Sequence, residues 1–197
     1  MKKIIIASNN EKKLCELEAI LGSAGMELIN LAQAGISSQP EETGATFEEN
    51  ALIKARAACA EGGLPAVADD SGLEVYALDG APGVYSARYG GGSDSDRVSL
   101  LLENMRGVPE DERGGRFVSV MACVLPDGTE FCVRGECEGR ILAERRGTGG
   151  FGYDPVFFVE EYGQTFAEMP AELKNRISHR ARAIAALHEE MKKRGIL

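Results

Sequence analysis

One segment constrains the fold more than any other. Ile4-Ile5-Ile6-Ala7 is an apolar, β-branched run with the length of a buried strand, and it leads straight into polar Ser8-Asn9-Asn10. Beyond that turn Leu14, Leu17, Ile20 and Leu21 recur at helical spacing, and Gly22 marks a stop. Strand, polar turn and helix in succession open an α/β unit, and the rest of the chain keeps the alternation. Residues 26–31 read as a second strand and 32–45 as a polar loop. Thr46-Phe47-Glu48-Glu49 is a capping box, in which the first and fourth side chains satisfy free backbone N–H groups at a helix start. The spacing of Phe47, Ala51, Ala55 and Ala58 carries that helix to about Ala60, with Gly62-Gly63 behind it. Residues 64–68 read as a short strand running into Asp69-Asp70-Ser71-Gly72, and 73–78 as a further strand. Gly90-Gly91-Gly92 precedes a helix over residues 94–105. Residues 117–125 and 130–142 flank Pro126-Asp127-Gly128-Thr129, a hairpin with a well-marked turn. A second glycine-rich loop, 147–155, leads into a strand at 156–159, and a helix over 178–193 closes the chain with Ser178 as its cap. The pattern predicts a single α/β domain over residues 1–197, built on a mixed sheet with flanking helices.

Composition narrows the classes of function. Apolar residues make up 44% of the 197, enough for a core that needs neither metal nor disulfide. No stretch approaches the roughly 18 apolar residues of a membrane span, and the apolar run before Ser8 is too short for a signal-peptide core. The five cysteines are odd in number and show no CxxC spacing, which fits free thiols in a reducing compartment. A cytoplasmic protein without membrane association is expected. The net charge of -9 argues against an extended nucleic-acid interface, which needs a basic face. It leaves room for a small anionic substrate, because a few cations can converge locally inside an acidic protein.

Four groups of residues could carry chemistry. Asp69-Asp70-Ser71 places two carboxylates at the end of a strand, where open α/β sheets bind ligands. Adjacent like charges need a cation or solvent, and a hard divalent ion is held by one or two carboxylates plus substrate phosphates. The same four residues, DDSG, are also good turn chemistry. Ser8-Asn9-Asn10-Glu11-Lys12-Lys13 joins a strand to a helix N-terminus, a place that binds phosphate through free N–H groups, or is simply capped by Asn9 or Asn10. Phe151-Gly152-Tyr153-Asp154 sets aromatic rings and a carboxylate on a glycine-bearing loop, suited to a planar base or to a core. Lys174, Ser178, His179 and Arg180 gather donors around a helix start, where they grip a nucleotide or cap and pack. Lys54 lies four residues after Asn50 on one helical face, and Glu41 sits in the 32–45 loop beside Glu42.

Taken in order, SNNEKK, PEETGATFEENALIKA, ADDSGLEV, GAPGVYSAR, GTGGFGYDPVF and AEMPAELKNRISHR resemble the inosine triphosphate pyrophosphatase family, the non-canonical purine NTP pyrophosphatases. The resemblance runs from Ile4 to the last helix. It implies an elongated mixed sheet in two lobes, with the active site in the cleft between them, and a homodimer. It implies hydrolysis of ITP, dITP, XTP or dXTP to the monophosphate and pyrophosphate, with Mg2+ (or Mn2+) as cofactor. The alternatives are a pyrophosphatase for modified pyrimidine or canonical nucleotides, and a nucleotide sensor without turnover. By the resemblance, Asp70 is the catalytic acid and a metal ligand, and Glu41 is the second metal-associated acid. Ser71 contacts substrate, Ser8, Asn9, Asn10, Glu11, Lys12 and Lys13 form the phosphate-binding turn, and Lys54 and Lys174 are substrate-contacting lysines. Phe151, Gly152, Tyr153 and Asp154, with His179 and Arg180, recognise the base. Where the family commonly has Thr-Gly-Asn, this chain has Ser8-Asn9-Asn10. Serine keeps the hydroxyl, Asn10 keeps the amide, and asparagine is the non-glycine residue that best tolerates positive φ.

Overall fold

A computed structural model describes residues 3–10, 13–15, 17–18, 27–37 and 39–196. Seven strands form one sheet: β1 (Lys3–Ile6), β2 (Glu27–Asn30), β3 (Ala66–Val75), β4 (Gly114–Val124), β5 (Glu130–Ile141), β6 (Phe157–Val159) and β7 (Gln164–Thr165). Their order is β2-β1-β3-β4-β5-β6-β7. β1 is parallel to both β2 and β3, whereas β5–β6 and β6–β7 are antiparallel, so the sheet is mixed. Ile4, Ile5 and Ile6 are all buried, as expected of a parallel strand flanked on both sides.

Behind β1, Lys13, Leu14, Cys15, Leu17 and Glu18 are helical; Ile20, Leu21, Gly22 and Met26 of the expected elements lie outside the described residues. Helix α1 (Phe47–Gly62) has the full capping box at Thr46 and Glu49, and Gly63 closes it in the left-handed region with φ 64°. Helix α2 spans Asp94–Asn104. The hairpin turn closes with Leu125 donating to Thr129 O, and Gly128 takes φ 87°.

Two elements differ from the sequence pattern. Asp69-Asp70-Ser71-Gly72 is no turn: β3 runs unbroken through it, and residues 76–78 form a 3-10 turn instead of more strand. Turn preference is local and weak, and β3 continues past its pairing with β1 at Ala66 and Val67 as the neighbour of β4 in the sheet. The carboxylates therefore lie within a strand, not at its end. The expected C-terminal helix forms as α4 (His179–Lys193), but a further short helix that the pattern did not show, α3 (Ala171–Ile177), precedes it, with Ser178 extended between them at φ -66°, ψ 158°.

The chain divides into two compact units. Residues 1–70, 119–135 and 180–197 form the first, whose core gathers Ile4, Ile6, Val67, Met121, Cys123 and the α4 stripe Ala183, Ile184, Leu187 and Met191. Residues 71–118 and 136–179 form the second, around Leu73, Leu101, Met105, Phe117, Phe157 and Phe166. No described helix is long and apolar enough to cross a membrane.

Candidate active site

In the first unit, β3 carries two adjacent buried carboxylates, and their surroundings treat them differently. Asp69 is 2% exposed. Its Oδ2 lies 3.2 Å from the Lys13 ammonium and 3.5 Å from Arg180 Nε. Burial alone would raise its pKa, but Lys13, Arg180 and Lys54 together hold the carboxyl well below the usual range. Asp70 has Lys54 Nζ at 3.4 Å from Oδ1. That same ammonium lies closer, 2.8 Å, to Glu42 Oε1. Burial dominates at Asp70 and pushes its carboxyl up, against the pull of Lys54 and Lys13. For Lys54 burial is outweighed by Asp70, Asp69 and Glu42, and the ammonium is held above its usual value. One oxygen of each aspartate, Asp69 Oδ1 and Asp70 Oδ2, is buried without a hydrogen bond among the described residues. Asp69 is thus the counter-ion of Lys13 and Arg180, and Asp70 is the more basic of the two carboxylates.

The turn after β1 places Lys13 in this network by its own capping. Asn10 N–H donates to Ser8 Oγ at 3.2 Å, Lys13 N–H to Asn10 Oδ1 at 3.2 Å, and Leu14 N–H to Asn10 O at 2.9 Å. Asn10 is therefore the helix cap. Asn9 does not take positive φ, a conformation that Asp79 alone adopts among described non-glycine residues. Ser8 is half-buried and Asn9 exposed, while Glu11 and Lys12 lie outside the described residues. Glu41 is exposed, and its neighbour Glu42 is the acid joined to Lys54. Among the described residues no three His, Cys, Asp or Glu side chains converge to hold a metal.

The second unit holds the other group. Lys174 and Asp154 form a buried ion pair at 2.7 Å. The same Asp154 oxygen accepts the Phe151 N–H at 2.8 Å, and the ammonium sits 4.7 Å from the centre of the Phe151 ring. Gly152 donates its N–H to Asp94 at 2.8 Å, and the Tyr153 hydroxyl donates to Ser86 O at 2.9 Å. Gly150 has φ 70°, and a Cβ there would lie 2.0 Å from Asp154 Oδ2, so only glycine leaves room for that carboxylate. His179 stacks on Phe117 at 4.7 Å and 12° between ring planes. Ser71 is half-buried at the start of this unit.

The structure therefore regroups the predicted residues. Lys13, Lys54, Asp70 and Arg180 share one network with Asp69 and Glu42. Lys174 joins Phe151 and Asp154 at the loop expected to meet a base. Arg180, expected beside His179 at the base, has its guanidinium on Asp69. That pairing spans 111 residues and has no local mark in the sequence. Glu42 and Asn50 also escaped the sequence reading, although the four-residue spacing from Asn50 to Lys54 pointed at this face of α1.

Seven strands in one mixed sheet, with a lysine–carboxylate network gathered at β3, define an α/β protein. The comparisons place it more closely: the Ham1 family model matches residues 4–190, and the chain belongs to that family. It is 53% identical over 190 residues to a dITP/XTP pyrophosphatase of Symbiobacterium thermophilum, covering 96% of this chain and 95% of that one. A HAM1 protein from Coxiella burnetii superimposes with a TM-score of 0.90 at 40% identity, over 98% of this chain and all of that one. The nucleoside-triphosphatase / dITP/XTP pyrophosphatase of Mycobacterium abscessus gives 0.78 at 47% identity, over 94% and 98%.

Proposed function

We propose that the chain is a nucleoside triphosphate pyrophosphohydrolase. It hydrolyses the non-canonical purine nucleotides ITP, dITP, XTP and dXTP to the monophosphate and pyrophosphate. Identity of about half over nearly the full length to proteins that carry this name supports the reaction class. The observation that carries the reading is the unequal aspartate pair: Asp69, held down by Lys13 and Arg180, beside Asp70, whose carboxyl is pushed up by burial, each with one buried oxygen unengaged among the described residues.

Charge balance in the network argues for a divalent cation. Lys13, Lys54 and Arg180 face Asp69, Asp70 and Glu42, three charges of each sign. A triphosphate brought to these groups needs further positive charge. The donor set fits Mg2+, with Mn2+ as a substitute, because such ions take one or two carboxylates and complete their shell with water and phosphate. Asp70 and the exposed Glu41 would hold it, and when bound it supplies charge neutralisation and a more acidic water. Asp70 Oδ2 accepts the proton of the attacking water. The water oxygen bonds to the α-phosphorus, the bond from that phosphorus to the bridging oxygen breaks, and pyrophosphate leaves. Lys13 and Lys54 neutralise the charge that builds on the leaving group. Ser8, Asn10 and Ser71 would supply hydroxyl and amide contacts to the substrate. Arg180 keeps Asp69 ionised, and Phe151, Gly152, Tyr153, Asp154, Lys174 and His179 read the base. The free thiols fit a cytoplasmic protein, and the family resemblance fits a homodimer.

The test is pyrophosphate release from ITP in 18O-labelled water. Label is expected in the monophosphate, EDTA stops turnover, and Mg2+ restores it. Orthophosphate with the nucleoside diphosphate, or label in pyrophosphate, contradicts the reaction.

A further inference from the structure

The acidic loop before α1 is tied to the helix by three successive backbone groups. Ala45 and Thr46 donate their N–H groups to Glu49 Oε2, at 2.6 and 3.3 Å. These belong to the capping region. The third, Gly44 N–H, donates to Asn50 Oδ1 at 2.8 Å. Asn50 is 0% exposed, and its other amide atom, Nδ2, is buried with no hydrogen-bond partner among the described residues. The Gly44 donor fixes which end of the amide is oxygen, so the orphan is the nitrogen. A buried, half-satisfied amide lowers stability, and a site that keeps one calls for an explanation. Asparagine is not there for helix propensity either. The loop is moulded around it: a Cβ on Gly44 would meet Glu49 Cβ at 2.6 Å and Asn50 Oδ1 at 2.7 Å.

Two residues before Gly44 stands Glu42, and one turn after Asn50 on the same helix stands Lys54. Glu42 and Lys54 meet at 2.8 Å, and Lys54 is shared with Asp70 at 3.4 Å. We propose that Asn50 is a positioning residue: by holding Gly44 it aims Glu42 at Lys54, and Glu42 in turn draws the ammonium away from Asp70. Without that pull Lys54 closes on Asp70 and ties up the carboxylate. This rests on the hydrolytic role given above to Asp70. The effect belongs to turnover more than to nucleotide affinity, because what changes is the carboxylate that takes the proton.

A double-mutant cycle with ITP tests it. Asn50→Ala and Glu42→Gln are each expected to lower kcat by about tenfold, up to the roughly 10^2-fold that a displaced group of this kind produces. KM stays within about twofold, since uniform binding is untouched. The double variant falls no further than the worse single one, because both break the same link. Gly44→Ala, which pushes the loop off an intact Asn50, gives the same kcat loss and the same non-additivity with Glu42→Gln. It serves as the test if Asn50→Ala does not fold. Additive losses, an unchanged kcat, or a rise in KM with kcat preserved overturns the inference. Hydrogen exchange separates it from the proposed function. In Asn50→Ala the amides of residues 42–44 exchange faster than those of Ala45 and Thr46, whether or not the protein turns over any nucleotide. Unchanged exchange there overturns the positioning role alone; failure of the wild-type protein to release pyrophosphate overturns the reaction alone.

Discussion

Asp69 and Asp70 are neighbours in one strand, yet isosteric changes at the two should move stability in opposite directions. Asp69 is buried and is the counter-ion of the half-buried Lys13 ammonium and the buried Arg180 guanidinium. Asp69→Asn leaves both without it, and breaking a buried pair in this way costs about 3–5 kcal/mol. Burial, the largest cause, pushes the Asp70 carboxyl up against the pull of Lys54 and Lys13, so Asp70→Asn removes a charge that its surroundings disfavour. Urea unfolding in EDTA at pH 7 should show a lower midpoint for the first variant and a higher one for the second. The pH dependences follow the same signs. A depressed folded pKa makes the Asp69 contribution complete above the usual carboxylate value of about 3.9, and it is lost as pH falls below that. A raised folded pKa makes the stabilisation from a protonated Asp70 full in acid, and it is lost as pH rises through the folded value. The Asp70→Asn protein should nonetheless lose activity by at least about 10^2-fold, the scale of a missing acid–base group. A stable variant that is also fully active removes Asp70 from the reaction, and two midpoints moving the same way refute the division of roles.

Among the elements, what could be read from sequence was what is local. The capping box of α1 occupies four consecutive residues, and both of its bonds are present. Thr46→Ala should lower stability by about 1 kcal/mol. It should leave kcat unchanged, because Glu49 still holds Ala45 and Asn50 still holds Gly44. An altered kcat in this variant would mean that the cap, not Asn50, sets the loop. The hairpin at Asp127-Gly128 was legible for the same reason. β3 was not, since the force that keeps DDSG extended comes from strands far along the chain. Helix α3 was hidden because it is seven residues long: only Leu173 and Ile177 meet the core at helical spacing, and its fully buried side chain is an ammonium, Lys174. At the site, Lys13, Lys54 and Asp70 were visible as motif residues. The difference between Glu41 and Glu42 was not, because two adjacent loop acids are told apart only by the path of the loop. That path is set by Glu49 and Asn50.

At the scale of the molecule, a protein with net charge -9 has to choose among polyanions that differ at one ring position. Hypoxanthine and xanthine present a 6-oxo acceptor where adenine presents a 6-amino donor. In the second unit two backbone donors of the loop proposed to read the base are committed, Phe151 N–H to Asp154 and Gly152 N–H to Asp94. Discrimination is then assigned to side chains: the Lys174 ammonium, held by Asp154 beside the Phe151 ring, is donor-only and has three N–H groups. It satisfies an oxygen and opposes an amino group. A buried donor that loses its partner forfeits about 1–3 kcal/mol, more when charged. Sites that use such mismatches reach about 10^4-fold. Guanine shares the 6-oxo group, so this mechanism does not reject it. The expected order of kcat/KM is therefore ITP and XTP far above ATP, by at least about 10^2-fold, with GTP between them. Lys174→Gln, which offers an acceptor as well as a donor, should narrow the ITP/ATP ratio, mostly by lowering the ITP value. Competition assays with the four nucleotides measure it. Equal use of ATP and ITP by the wild-type protein would sink the selectivity itself. An unchanged ratio in Lys174→Gln, with the variant folded, would take the reading of position 6 away from Lys174.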